Sequence, residues 1–104
     1  MFIVLLKFTE NRAQAPRFLE GHKAWIQQGL QDGVFLLVGS LKPEAGGAIL
    51  AHGASLPELE ARLAEDPFVG EKVVSAEILE IAAARTDARL SFLLEAATQG
   101  KVAP

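Results

Sequence analysis

A chain of 104 residues, half of them hydrophobic, forms one domain with enough apolar material for a single two-layer core. Its formal charge of -3, with no cluster of lysine or arginine, argues against nucleic acid or an anionic membrane surface as a partner. No apolar run reaches the roughly 20 residues of a membrane span, the start Met1-Phe2-Ile3-Val4 lacks the basic residues of a secretion signal, and no cysteine is available for a disulfide, a thiolate metal site or a nucleophile, so the expected location is the cytoplasm.

Residues 2 to 9, FIVLLKFT, alternate as a strand, with Phe2, Val4, Leu6 and Phe8 on one face and Ile3, Leu5 and Lys7 on the other. Pro16 suits the first position of a helix, and an amphipathic pattern continues from there to about residue 31, with Gly33 placed to end it in the left-handed conformation. VFLLVGSL at 34 to 41 and AILAH at 48 to 52 read as an antiparallel hairpin joined through KPEAGG. Ser55-Leu56-Pro57-Glu58 then has the spacing of a capping box, with Ser55 as N-cap and Glu58 at the third helical position, and Leu56, Leu59 and Leu63 mark the buried stripe of a second helix. That helix is expected to end at Glu65 or Asp66, because Pro67 disfavours helical backbone at the residue before it. VVSAEILEIA at 73 to 82 makes the fourth strand.

The order β-α-β-β-α-β predicts an α+β, ferredoxin-like fold: a four-stranded antiparallel sheet with two helices on one face. Residues 1–84 form this domain, and residues 85–104 a C-terminal helical extension. Thr86 or Asp87 is the candidate N-cap of that helix, Leu90, Leu93, Leu94 and Ala97 share one side of it, Phe92 lies opposite, and Gly100 is the stop. The first three strands carry apolar side chains on both faces, so the face without helices needs a cover. A second copy packing sheet against sheet gives a homodimer, with higher homo-oligomers left open. The alternative is that the C-terminal segment covers the face within one chain.

Wound at about 100° per residue, the first helix places His22 within the same arc as Phe18, Trp25 and Gly29. A buried imidazole needs a hydrogen-bond partner. Asp66 needs one as well, since it stands beside the negative end of the second helix. Two helices lying side by side on one sheet face can bring the two residues together, which would hold one imidazole nitrogen and leave the other for general acid/base work. The residues also allow a plainer reading, in which His22 bonds a backbone carbonyl and Asp66 caps the turn of Pro67 and Phe68. Ser40, after Gly39 at a strand end, is either a turn serine or a hydroxyl for the site. Trp25 is either core or pocket wall. His52 is placed at a rim or interface. Two histidines without a clustered set of acids argue against a dedicated zinc site.

The MFIVLLKF strand, the helix LEGHKAWIQQG carrying His22, the strand end VGSL at 38 to 41 and, above all, EDPF at 65 to 68 in an A-x-D-P-[YF] position give the chain a likeness. Over residues 1 to about 82 it resembles the YciI-like (YCII-related) family of small dimeric α+β barrel proteins. The resemblance implies that His22 and Asp66 form an active-site pair; Ser40, Trp25 and Phe68 are candidate substrate contacts beside it. It also implies a small, cyclic or aromatic molecule as substrate, isomerised or eliminated without a cofactor. The wider superfamily includes lactone isomerases, eliminating enzymes and cofactor-poor monooxygenases. A haem role, also known there, would need His22 or His52 as axial ligand, and nothing in the sequence singles it out. A non-catalytic ligand-binding or regulatory module of the same fold is the alternative. The chain departs from the family pattern at the polar Glu71-Lys72 and in the tail after residue 84.

Overall fold

The computed structural model describes residues 1–97, in the order β1 (Phe2–Phe8), α1 (Ala15–Gln31), β2 (Phe35–Leu41), β3 (Gly46–Ala51), α2 (Leu56–Ala64), α3 (Pro67–Gly70), β4 (Val74–Glu80) and α4 (Phe92–Ala97). The strands pair antiparallel in one sheet ordered β2-β3-β1-β4, the ferredoxin-like arrangement. Phe2, Val4 and Leu6 face inward from β1, where they meet Trp25 of α1, Leu59 and Leu63 of α2 and Phe68 of α3 in one core. Both long helices therefore cover the same sheet face. No helix among the described residues is long and apolar enough to cross a membrane.

Local chemistry accounts for the helix ends. The Ser55 hydroxyl accepts from the Glu58 backbone N–H, and the Glu58 carboxylate accepts from the Ser55 N–H at 2.8 Å, closing the capping box at the start of α2. Gly33 follows α1 at φ 75°, in the region a side chain disfavours. At the far end of α2 the turn at Pro67 and Phe68, which the plainer reading has Asp66 cap, is the start of a further helical turn. Glu65 is the C-cap, and Asp66 takes extended backbone and starts a new helical turn, α3, through a hydrogen bond from Phe68 N to its own side chain. Proline at the first position of α3 suits this restart as well as it stops α2.

Side chains on the opposite sheet face form a row that register defines: Leu37 pairs with Leu50, Leu50 with Ile3, and Ile3 with Leu79. Leu37 is 58% exposed and Leu79 42%. The C-terminal segment begins with a tight turn at Ala88–Leu90, where the Asp87 carboxylate accepts from Arg89 N, and α4 starts only at Phe92. Phe92 meets the His52 ring edge-on at 5.3 Å, and Leu93 is buried apart from the main core. Since Ala51 faces the helices, His52 follows it on the opposite side. The tail thus reaches the end of the helix-free face but leaves the outer leucines of the row in solvent. The Ala97 side chain and the expected stop at Gly100 lie outside the described residues.

Candidate active site

The helix-facing side of the sheet is filled unevenly, and the unevenness makes a cavity. Toward the start of β1, Phe2, Ala51 and Phe35 pair across three strands and pack beneath Trp25. Toward its end, Leu6 pairs with Gly47 and Gly47 with Ser40, so two of three positions have little or no side chain. The space left between this part of the sheet and α1 is a cleft of about 360 Å³. Leu6, Ile26, Val38, Ile49 and Val74 give it apolar walls, and His22 and Ser40 bring the polar side chains.

His22 enters from α1. Its Nδ1 donates to Asp66 Oδ1 at 2.8 Å. The direction follows from the carboxylate, because Oδ1 also accepts from Phe68 N at 3.0 Å and so acts as an acceptor toward both. With Asp66 as a carboxylate, Nδ1 is the nitrogen that carries a hydrogen in this contact, and Nε2 is the ring nitrogen left over. Nε2 has no protein partner among the described residues and is not a buried atom, while the His22 side chain, 14% exposed, lines the cleft. Asp66 is fully buried. Its second oxygen, Oδ2, is buried without a hydrogen-bond partner, so both of its contacts fall on Oδ1.

Two aromatic contacts hold the imidazole in place, and a third backs one of them. The Phe68 ring stacks flat against it, with centroids 4.0 Å apart and planes within 6°. Trp25 stacks behind it at 6.0 Å, and Trp25 is in turn packed edge-on against Phe35 at 5.1 Å. The indole N–H donates to the Arg62 carbonyl at 2.9 Å, a bond from α1 to the last turn of α2. Next to His22, Gly21 allows α1 to come close to α3: a Cβ there would stand 3.1 Å from Pro67 Cγ. The neighbouring pairs Gly21/Pro67 and His22/Asp66 thus join the two elements along one seam. Gly21 was not singled out in the sequence, although a glycine just before the histidine was the available signal.

Of the five residues expected at a site, the structure gathers four. His22, Ser40 and Phe68 line the cleft, and Asp66 stands directly behind His22. Trp25 does not line it. One helical turn on, its indole points toward α2, where Arg62 O satisfies the N–H. His52 lies away from the cleft against Phe92. Among the described residues, no three histidine or acidic side chains gather as a metal site.

No protein-family model matches the chain, and no curated protein matches it in sequence. In three dimensions it is similar to 5-chloro-2-hydroxyhydroquinone dehydrochlorinase (TftG) from Burkholderia phenoliruptrix AC1100, a structure in complex with 2,5-dihydroxybenzoquinone. The TM-score is 0.62 at 12% identity, over 78% of this chain and 93% of that one. The likeness establishes a shared ferredoxin-like α+β fold.

Proposed function

We propose that the protein is a YciI-like, cytoplasmic small-molecule enzyme that uses His22 and Asp66 for general acid/base chemistry on a small cyclic or aromatic substrate, in an isomerisation or an elimination. The observation that carries this reading is the 2.8 Å bond between His22 Nδ1 and Asp66 Oδ1, made by a histidine that lines an apolar cleft and whose Nε2 has no protein partner among the described residues. Nε2 takes a proton from the substrate while Nδ1–H stays on the carboxylate, which orients the ring and stabilises the imidazolium that forms. In an isomerisation the same nitrogen returns the proton to a different atom. In an elimination the electron pair released by deprotonation expels a leaving group instead. Phe68 keeps the ring flat, and Ser40, across the cleft, supplies a hydroxyl for a substrate oxygen. No cofactor is required for either reaction. The name of the structural neighbour, a dehydrochlorinase of a substituted hydroquinone, supports a small ring as substrate. The motif Asp66-Pro67-Phe68 supports the YciI-like assignment.

The test is a turnover screen over small hydroxylated, halogenated and lactone ring compounds, run on the wild type, His22→Asn and Asp66→Asn. The asparagine at 22 keeps an N–H near the Nδ1 position and removes Nε2. Loss of a positioned acid/base group lowers turnover by about 10²- to 10⁴-fold. Full turnover in either folded variant would overturn the assignment. A second reading, a non-catalytic ligand-binding module, draws on the other bond to Asp66: the same oxygen that meets His22 also caps α3. Tight binding of a ring compound that no condition converts favours that reading.

A further inference from the structure

A second cavity, of about 500 Å³, adjoins the first and shares Phe8, Ser40 and Gly46 with it. Its remaining lining differs in kind, with Arg12, Lys42 and Glu44 at the rim. The Arg12 guanidinium lies over the Phe8 ring, 4.4 Å from the centroid, so it stands above a side chain that walls both cavities. The segment that carries Arg12 is held firmly. The Thr9 hydroxyl donates to Lys72 O at 2.6 Å, Asn11 Nδ2 donates to the same carbonyl at 3.2 Å, and Asn11 N donates to the Thr9 hydroxyl at 3.0 Å. Arg12 has one carboxylate partner among the described residues, Glu44 at 3.6 Å, on side chains 51% and 88% exposed. An ion pair this exposed contributes little and is easily exchanged for another anion.

We propose that the substrate of this site is a small amphiphilic carboxylate, its ring or other apolar body seated beneath His22 and its carboxylate carried past Phe8 to Arg12 and Lys42, where it displaces Glu44. This rests on reading the His22 cleft as the ligand site and adds the charge that a ligand must carry at its outer end. An apolar pocket alone discriminates poorly between small rings. A guanidinium at its mouth selects the anionic ones, because a charge-assisted hydrogen bond is about twice as strong as a neutral one.

The experiment is calorimetric titration with benzoate, phenylacetate and 3-phenylpropanoate against the matching amides, which have almost the same shape and no charge. The acid of the best-fitting length should bind about five- to tenfold more tightly than its amide, the range of a charge-assisted bond discounted for solvent exposure. Arg12→Gln should reduce that preference to near unity, and Lys42→Gln should reduce it in part. Glu44→Gln should tighten acid binding, since it removes the competing carboxylate. Acids binding no better than amides overturns the inference alone and leaves the cleft as a ligand site. A preference that survives Arg12→Gln, or acid binding not strengthened by Glu44→Gln, also overturns it. Absence of binding by both series at millimolar concentration overturns both the inference and the reading on which it rests.

Discussion

Asp66 Oδ1 stands 2.8 Å from His22 Nδ1, although the two residues are 44 positions apart in sequence and on different helices. The contact exists because Pro67 stops α2 and starts α3 at one point. An aspartate there is fully buried, takes extended backbone and has an oxygen turned to both the first N–H of the new turn and the face of α1. Its position past the C-terminus of α2 is unfavourable for a carboxylate, and its position at the N-terminus of α3 offsets that.

A double-mutant cycle on this pair should show strong coupling. His22→Ala leaves a buried carboxylate with a single donor, and Asp66→Ala leaves both an imidazole N–H and Phe68 N unpaired. Each change should destabilise by about 2–4 kcal/mol, while the double variant should cost about 1–3 kcal/mol less than the sum. Urea unfolding of the four proteins measures this. Additive losses would mean that the two side chains do not act as a unit.

Gly29→Ala tests what sets the height of α1 above the sheet. A Cβ at Gly29 would stand 2.2 Å from Phe35 Cδ2, so the helix must lift or the ring must move. Alanine gains about 1 kcal/mol of helix propensity over glycine, but overpacking a fitted core costs typically about 1–3 kcal/mol, and here the clash is with a buried ring. The clash should win, giving a net loss that Phe35→Leu partly restores in the double variant. A Gly29→Ala protein as stable as the wild type in urea would show that propensity dominates.

Much of this arrangement was legible because it rests on local rules. Alternation in Phe2–Phe8, the capping box at Ser55 and the stop at Gly33 each follow from one residue's chemistry and that of its near neighbours. The position of His22 on the inner arc of α1 was legible for the same reason. What was not legible depends on register and on tertiary partners. The cleft exists because Ser40 pairs with Gly47 and Gly47 with Leu6, a coincidence across three strands that no single segment displays. Trp25 has the periodicity of a pocket residue as much as a core one, and only the Arg62 carbonyl on α2 decides between them. Asp66-Pro67 ends one helix and, through the turn cap that the sequence allows, begins another, because proline is compatible with both.

Asp32, the C-cap of α1, joins the two long helices and should make stability depend on acid. Hydrogen bonds from the Gln28 amide and the Arg62 guanidinium, aided by the charge of Arg62, hold its carboxyl below the ordinary value of 3.8. A depressed carboxyl contributes stability that is fully present above its unfolded value and is lost as pH falls through the folded one. Asp32→Asn should therefore be less stable than the wild type at neutral pH, and the gap should close below about pH 3.8. Urea midpoints measured from pH 7 down to pH 3 decide the matter: a gap that stays constant across the series would remove the titration argument.

The helix-free face yields the last expectation. Leu37, Leu50, Ile3 and Leu79 lie in register across all four strands, and the outer two are largely exposed even with the tail packed near His52. An apolar row on an otherwise covered sheet is best buried against its own symmetry mate, since a two-fold contact matches the same row to itself. In light scattering the wild type should have the mass of two chains. Leu37→Glu, which would bring two carboxylates toward a dry seam, should weaken the dimer by at least about tenfold, since burying an unpaired charge costs more than the roughly 1.4 kcal/mol this represents. The same variant should leave the urea midpoint of the monomer nearly unchanged, because Leu37 is 58% exposed there and contributes little to the fold. A wild-type chain that remains monomeric at high concentration would mean that the tail and solvent suffice for this face.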